Sequence, residues 1–164
     1  MSPEPYIVRP IGVIRSPFAD RQGMPIQGAL KPEALGRAEI FEEFAAGLAD
    51  IDGFSHLILL YWFHLSAGFD LTVKPFLEDS PRGLFATRAP RRPNPIGLSV
   101  VKLVKRERNV LHLAELDVVD KTPLLDVKPL IPEFDFREGV KTGWLGEALA
   151  RGDRRRHTSD DRFT

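Results

Sequence analysis

Apolar residues in this chain come in short runs separated by turn formers, and the period within each run predicts its element. Residues 6–15 are rich in β-branched and aromatic side chains and end at Ser16-Pro17, the pattern of a strand entering a loop. Residues 37–41 predict a second strand. In 42–51, Phe44, Leu48 and Ile51 fall at helical spacing, predicting a short helix that stops at Asp52-Gly53. Residues 54–65 form the most hydrophobic segment, and its unbroken apolar character predicts a central strand buried on both faces. Residues 73–77 and 84–87 predict two further short strands. A run through Val100, Val101, Leu103 and Val104, a polar turn at Glu107-Arg108-Asn109 and a second run over 110–116 predict a β-hairpin. A last strand fits 125–131, and helical periodicity returns at Trp144, Leu145, Ala148 and Leu149.

Many short strands, two short helices and no strand–helix alternation predict a mainly β chain, a single closed or nearly closed β-barrel rather than a doubly wound sheet. The barrel is expected over residues 1–135, with 136–164 as a C-terminal helix and basic tail packed on the barrel or extending from it.

One segment fits no regular element. Residues 83–99 carry Pro90, Pro93 and Pro95, which fix φ and remove backbone donors, so 90–95 must be an ordered, extended loop. On that stiff backbone sit Arg88, Arg91, Arg92 and Asn94, which offer donors to an anion and a two-way hydrogen bonder to a base or an amide. Two readings fit: a polar ligand pocket, or a rigid surface connection with solvated arginines.

At 164 residues, 43% hydrophobic and 28% charged, the chain has the profile of one soluble globular domain. The longest apolar run, 57–63, is too short to cross a bilayer, and the first residues lack a secretory pattern, so a cytoplasmic location is expected with no membrane partner. With no cysteine, thiolate catalysis and cysteine zinc sites are excluded. Basic and acidic residues balance at 23 each, so there is no global field to recruit nucleic acid and any RNA contact must be local. The arginines cluster at 88–92 and again at 151–156, where a solvated tail is the competing explanation.

No Gly-x-Gly and no phosphate-binding P-loop occur, which argues against a Rossmann nucleotide site. The four histidines show no spacing that suggests a metal. His56 and His64 share one strand parity, facing either a pocket or a hydrogen-bonded core. Asp117, Asp120, Asp126 and Lys128 punctuate apolar runs between 116 and 129. Asp126 and Lys128, two apart on a predicted strand, point to one face, where they would form an ion pair. These carboxylates suit either contact with a ribose hydroxyl, an ammonium group or a proton, or plain turn chemistry before Pro123.

The string Arg92-Pro93-Asn94-Pro95-Ile96-Gly97 and the string Asp126-Val127-Lys128-Pro129, with residues 11–18, 25–27, 53–56 and 61–64, resemble the TsaA-like (TrmO) family of tRNA methyltransferases. The match runs from about Ile11 to Pro132. The resemblance implies a β-barrel that uses S-adenosyl-L-methionine, works as a homodimer with sites near the subunit interface, and methylates the exocyclic nitrogen of threonylcarbamoyladenosine beside the tRNA anticodon. It implies no DNA partner. Carried onto this chain, the cofactor pocket would draw on Pro25, Ile26, Gln27, His64, Arg88, Leu98, Val118, Val119, Asp120 and Lys121. Arg91, Arg92, Asn94 and Lys128 would bind substrate, and Asp126, then Asp120, would be candidates for the proton-accepting base. No metal is implied.

Three positions depart from the family pattern. Lys121 stands where glycine is expected, Arg91 where a histidine often precedes Arg-Pro-Asn-Pro, and Leu130 where tyrosine follows Lys-Pro, which removes an aromatic suited to stacking on a base. Two other readings accompany the leading one: a methyltransferase of another RNA or small-molecule acceptor, and an S-adenosylmethionine-binding module without turnover.

Overall fold

The computed structural model describes residues 4–22, 24–25, 28–77 and 79–150. Its strands are β1 (Gly12–Arg15), β2 (Gly36–Ile40), β3 (His56–Trp62), β4 (Thr72–Val73), β5 (Arg82–Gly83), β6 (Ile96–Glu107), β7 (Val110–Ala114) and β8 (Thr122–Pro129). Six close into an antiparallel barrel in the order β1-β2-β7-β6-β3-β8, and β4 pairs with β5 as a separate two-stranded ribbon. Closure removes free sheet edges, so the backbone groups of this small sheet are paired within the chain.

The predicted hairpin forms, with a turn one residue shorter than expected and a second strand that ends at Ala114. Glu107 pairs with Val110, leaving Arg108-Asn109 as a two-residue turn. Arg108 takes φ 54 there, and the Asn109 side-chain amide donates to the Ile40 carbonyl, fastening the turn to β2. The long apolar segment differs from its expectation. Along β3, buried and half-buried positions alternate: Leu57, Leu59 and Tyr61 point into the core, while Ile58, Leu60 and Trp62 face outward. No helical layer covers the outer face among the described residues, so the strand is buried on one side. The apolar outer positions need another explanation than an intramolecular core.

Residues 84–87 were expected as a strand, but Leu84–Ala86 forms a 3-10 turn after β5. Leu84 is swallowed by a small cluster with Val73 and Ala89, and the Thr87 hydroxyl donates back to the Leu84 carbonyl at 2.7 Å, which closes the turn. The helix expected over 42–51 is a 3-10 helix, Glu42–Leu48, followed by a second short turn at Ile51–Gly53. Phe41 supplies no capping side chain and Gly47 weakens the last turn, so the tighter, shorter form is favoured. The predicted C-terminal helix is α2 (Gly143–Ala150), preceded by one turn, α1 (Pro132–Asp135), that starts on proline. The basic cluster at 151–156 lies outside the described residues.

The core is one cluster inside the barrel, including Ile14, Leu57, Leu59, Val101, Leu111, Leu113, Leu116 and Leu124, each no more than 1% exposed. Leu48, with Phe44 and Ile51, packs against that cluster from the segment that leads into β3. At the other end of β3 the packing is not filled by aliphatic side chains. Tyr61, Ser99 and Asp117 occupy it instead, and the site begins there.

Candidate functional site

Two segments meet where β3 ends. The Phe63 amide donates to the Pro95 carbonyl at 2.7 Å, tying the chain after β3 to the end of the proline loop. Tyr61 pairs with Gly97, and a Cβ at Gly97 would land inside the Tyr61 ring. Only glycine lets the loop come this close, so the Pro-Ile-Gly sequence sets how tightly the loop seats on the barrel. Beside this junction lies a cavity of about 280 Å³. Its walls come from β3 and its continuation, the proline loop, the start of β6 and the turn before β8.

The inner wall holds a hydrogen-bonded chain of buried polar groups. The Tyr61 hydroxyl contacts Ser99 Oγ at 2.9 Å, and Ser99 Oγ donates to Asp117 Oδ1. The Gly28 backbone N–H donates to Asp117 Oδ2 at 3.0 Å. Since Ser99 has one proton and gives it to the carboxylate, Tyr61 donates to Ser99. The three side chains are 2–7% exposed. Burial pushes the Asp117 carboxyl up to about 6, against the opposing pull of the Ser99 and Gly28 hydrogen bonds and the nearby Arg88 charge. Burial likewise pushes the Tyr61 phenol far above its usual range, with the Asp117 charge adding to it.

His64 follows β3 and lines the cavity. Its Nδ1 lies 3.3 Å from the Thr122 hydroxyl, whose proton already goes to the Val119 carbonyl at 2.7 Å. Thr122 therefore accepts from His64, which places the proton on Nδ1 and leaves Nε2 as an acceptor. Burial, then the Arg21 charge, lowers the pKa of His64 and keeps the ring neutral near pH 7. Arg21, Arg88 and Arg92 all line the cavity, giving it a cationic rim around one buried carboxylate.

Of the residues expected at the cofactor, the structure brings Pro25, His64, Arg88, Leu98, Val118 and Val119 together on this cavity, joined by Arg92 from the expected substrate set. Ile26 and Gln27 lie outside the described residues. Asp120 sits in the same turn but acts as a clasp: its Oδ1 accepts from the Ser16 N–H at 3.0 Å and its own N–H donates to the Phe18 carbonyl at 2.7 Å. Lys121 is exposed and takes φ 64, the left-handed conformation that suits glycine, which gives the expected glycine a physical reason.

Arg91 pairs with Asp70 at 3.3 Å and Asn94 is exposed; neither lines the cavity. Asp126 and Lys128 form the anticipated ion pair, at 2.8 Å, with Asp126 Oδ1 also accepting from the Val127 N–H. Asp126 pairs in register with the outward-facing Leu60, so its carboxylate belongs to the outer face. His56 contacts Ser55 at the start of β3 and stays away from the cavity. Tyr61, Ser99 and Arg21 escaped the sequence reading. The available signal was parity: a tyrosine and a serine at inward positions of apolar strands call for partners.

Residues 13–136 match the tRNA-methyltransferase O N-terminal domain family. The chain belongs to this family. It is 48% identical over 155 residues to a probable S-adenosyl-L-methionine-binding protein of Pyrococcus abyssi, covering 94% of this chain and 83% of that protein. A human tRNA (adenine(37)-N6)-methyltransferase is 33% identical over 141 residues, covering 82% of this chain but 32% of its own length. The crystal structure of TrmO from Pseudomonas aeruginosa superposes with a TM-score of 0.72 at 37% identity, covering 85% of this chain and 62% of that one. This TrmO-family chain thus spans most of the archaeal relative and a smaller share of the methyltransferases. No helix among the described residues is long and apolar enough to cross a membrane.

Proposed function

We propose that this chain is an S-adenosylmethionine-dependent tRNA methyltransferase, acting on the exocyclic nitrogen of threonylcarbamoyladenosine beside the anticodon. The observation that carries the proposal is the cavity itself, whose walls hold six of the ten positions expected at the cofactor, with a cationic rim and, among the described residues, one buried carboxylate. The donor set fits the cofactor. Arg88 suits its carboxylate, and Val118, Val119 and Leu98 offer apolar cover to its adenine. His64 Nε2 is an acceptor for an amino or hydroxyl group. When bound, S-adenosylmethionine supplies a methyl group on a sulfonium centre.

The chain's own residues have two tasks, to hold the acceptor in line and to take the proton that the acceptor nitrogen sheds. Among the expected carboxylates, Asp120 is committed to the Ser16 clasp and Asp126 is paired on the outer face. Among the described residues, Asp117 is the carboxylate that lines the cavity, linked to Tyr61 through Ser99. The proton passes to the Tyr61 oxygen, the Tyr61 proton to Ser99, and the Ser99 proton to Asp117 Oδ1, so each hydroxyl ends neutral. Ionised Asp117 is required, and burial leaves it ionised only above about pH 6.

A second copy of the chain is part of the same reading. Ile58, Leu60 and Trp62 of β3 stand opposite Val100, Leu98 and Ile96 of β6 on the outer face, six apolar side chains in three cross-strand rows. Ile96 and Leu98 are 41% and 43% exposed and also line the cavity. A contiguous apolar patch of this kind is the signature of an interface, and a two-fold pairing through it would place the partner beside the cavity mouth and Asp126.

The test is mass spectrometry of nucleosides from unmodified and threonylcarbamoylated tRNA incubated with the protein and S-adenosylmethionine. Methylation confined to the threonylcarbamoylated nucleoside is expected. Cofactor binding without any methylated nucleoside would point to another acceptor or to a module that binds without turnover.

A further inference from the structure

The turn that carries the rim of the cavity also presents an aromatic side chain to solvent. Phe85 is 74% exposed, between Leu84, which is 1% exposed, and Ala86. A phenylalanine left in water forgoes the free energy of burying its ring, so its display calls for a reason. The backbone beneath it is fixed from three sides. The Leu84 N–H donates to the Leu71 carbonyl at 2.9 Å, the Thr87 N–H and hydroxyl both return to the Leu84 carbonyl, and Trp144 Nε1 donates to the Ala86 carbonyl at 2.8 Å.

Two arginines face aromatic rings across this turn. The Arg92 guanidinium carbon lies 5.7 Å from the Phe85 ring centre, and that of Arg82 lies 5.8 Å from the Trp144 ring. Arg92 is locked in that pose, since its Nη1 donates to the carbonyls of Thr87 and Ala89 at 3.0 and 3.1 Å. It also lines the cavity, so the ring it covers stands immediately outside the mouth. With Arg92 on one side of Phe85, the exposure of the ring belongs to its other side. A flat, rigid, cation-backed ring is what an unstacked base requires, and stacking of this kind tolerates any base. It also meets the requirement for local RNA contact in a chain of zero net charge.

We propose that Phe85, backed by Arg92 and flanked by the Arg82–Trp144 pair, is a stacking platform for an unpaired RNA base next to the nucleotide that enters the cavity. The proposal rests on the tRNA methyltransferase reading for the identity of the RNA. It restores, at a different position, the aromatic that Leu130 removes.

The test measures binding of an RNA anticodon stem–loop by fluorescence anisotropy for the wild-type chain and for Phe85→Ala, Phe85→Leu and Phe85→Trp. Calorimetric affinity for S-adenosylmethionine serves as the fold control, because Phe85 does not line the cavity. Phe85→Ala and Phe85→Leu should weaken RNA binding about tenfold, Phe85→Trp should keep it, and cofactor affinity should hold in all three. In turnover, KM for the RNA should rise more than kcat falls. Wild-type affinity in Phe85→Ala, full rescue by Phe85→Leu, or no RNA binding by the wild-type chain would overturn the platform. So would a change of oligomeric state in Phe85→Ala at unchanged RNA affinity, which would assign the ring to a protein interface. RNA binding that depends on Phe85 in a chain that transfers no methyl group would keep the platform and remove the methyltransferase reading.

Discussion

Strands β3 and β6 have two faces built from nearly the same residue types and put to different use. Inward, Leu57, Leu59 and Val101 are fully buried, and the polar chain of Tyr61, Ser99 and Asp117 continues the packing into the cavity wall. Outward, Leu60, Leu98, Val100 and their neighbours form an equally apolar surface that is half-buried on β3 and exposed on β6, bordered by the Asp126–Lys128 pair. The difference shows that apolar content alone does not tell core from interface; parity does. It also separates two aspartates nine residues apart. Burial raises the pKa of the inner one, Asp117, whereas Asp126 is half-exposed and ion-paired with Lys128.

The sharpest break of this comparison is Asp117→Asn. It keeps the shape and removes the proton acceptor, and kcat should fall roughly 10²- to 10⁴-fold, the span of general-base catalysis, with cofactor affinity read separately by calorimetry. The same residue predicts two opposed pH trends. Its folded pKa is raised, so its contribution to stability is full below the unfolded value and is lost as pH rises through about 6. Activity should rise over that same interval. Denaturation midpoints and single-turnover rates between about pH 4 and 8 should therefore run in opposite directions, and Asp117→Asn should flatten both.

Adjacent leucines give the next test. Leu59→Ala, at 0% exposure, should cost about 2–5 kcal/mol in chemical denaturation. Leu60→Ala should cost well under half of that in the folded chain while shifting the copy number seen by sedimentation, if the outer face is the contact between copies. A Leu60→Arg chain that sediments as the wild-type chain does would remove that interface. The smallest effect belongs to Lys121→Gly. It relieves a left-handed non-glycine residue and should stabilise the chain by about 0.5–1 kcal/mol, since the strain relieved slightly exceeds the added chain entropy.

Much of the barrel was legible from periodicity because a closed antiparallel sheet writes its pattern locally. The β6–β7 hairpin announced itself through Arg108-Asn109, and β1, β2 and β8 fall within or beside their predicted runs. Burial was not legible in β3, since an apolar outer face reads the same whether a helix, a second copy or nothing covers it. Nor was the 84–86 turn, where Leu84 and Phe85 look like strand residues and a tertiary cluster decides otherwise. At the site, the proline loop showed that something was held in place, and the family resemblance supplied seven of the cavity residues that the structure describes. The polar chain was invisible because its members are 38 and 18 residues apart in sequence and meet only through the β3–β6 pairing and the turn before β8. The hydrogen bonds of Asp120 to Ser16 and Phe18 were not legible either, since a carboxylate that caps a turn and one that takes a proton are spelled alike.

The most direct measurement compares single-turnover methyl transfer to threonylcarbamoylated tRNA by Asp117→Asn and Asp126→Asn at saturating S-adenosylmethionine. Transfer should collapse in Asp117→Asn and survive at a comparable rate in Asp126→Asn, and both proteins should bind the cofactor. Full transfer by Asp117→Asn, with loss in Asp126→Asn, would contradict that expectation and move the chemistry from the inner wall of the barrel to its outer face.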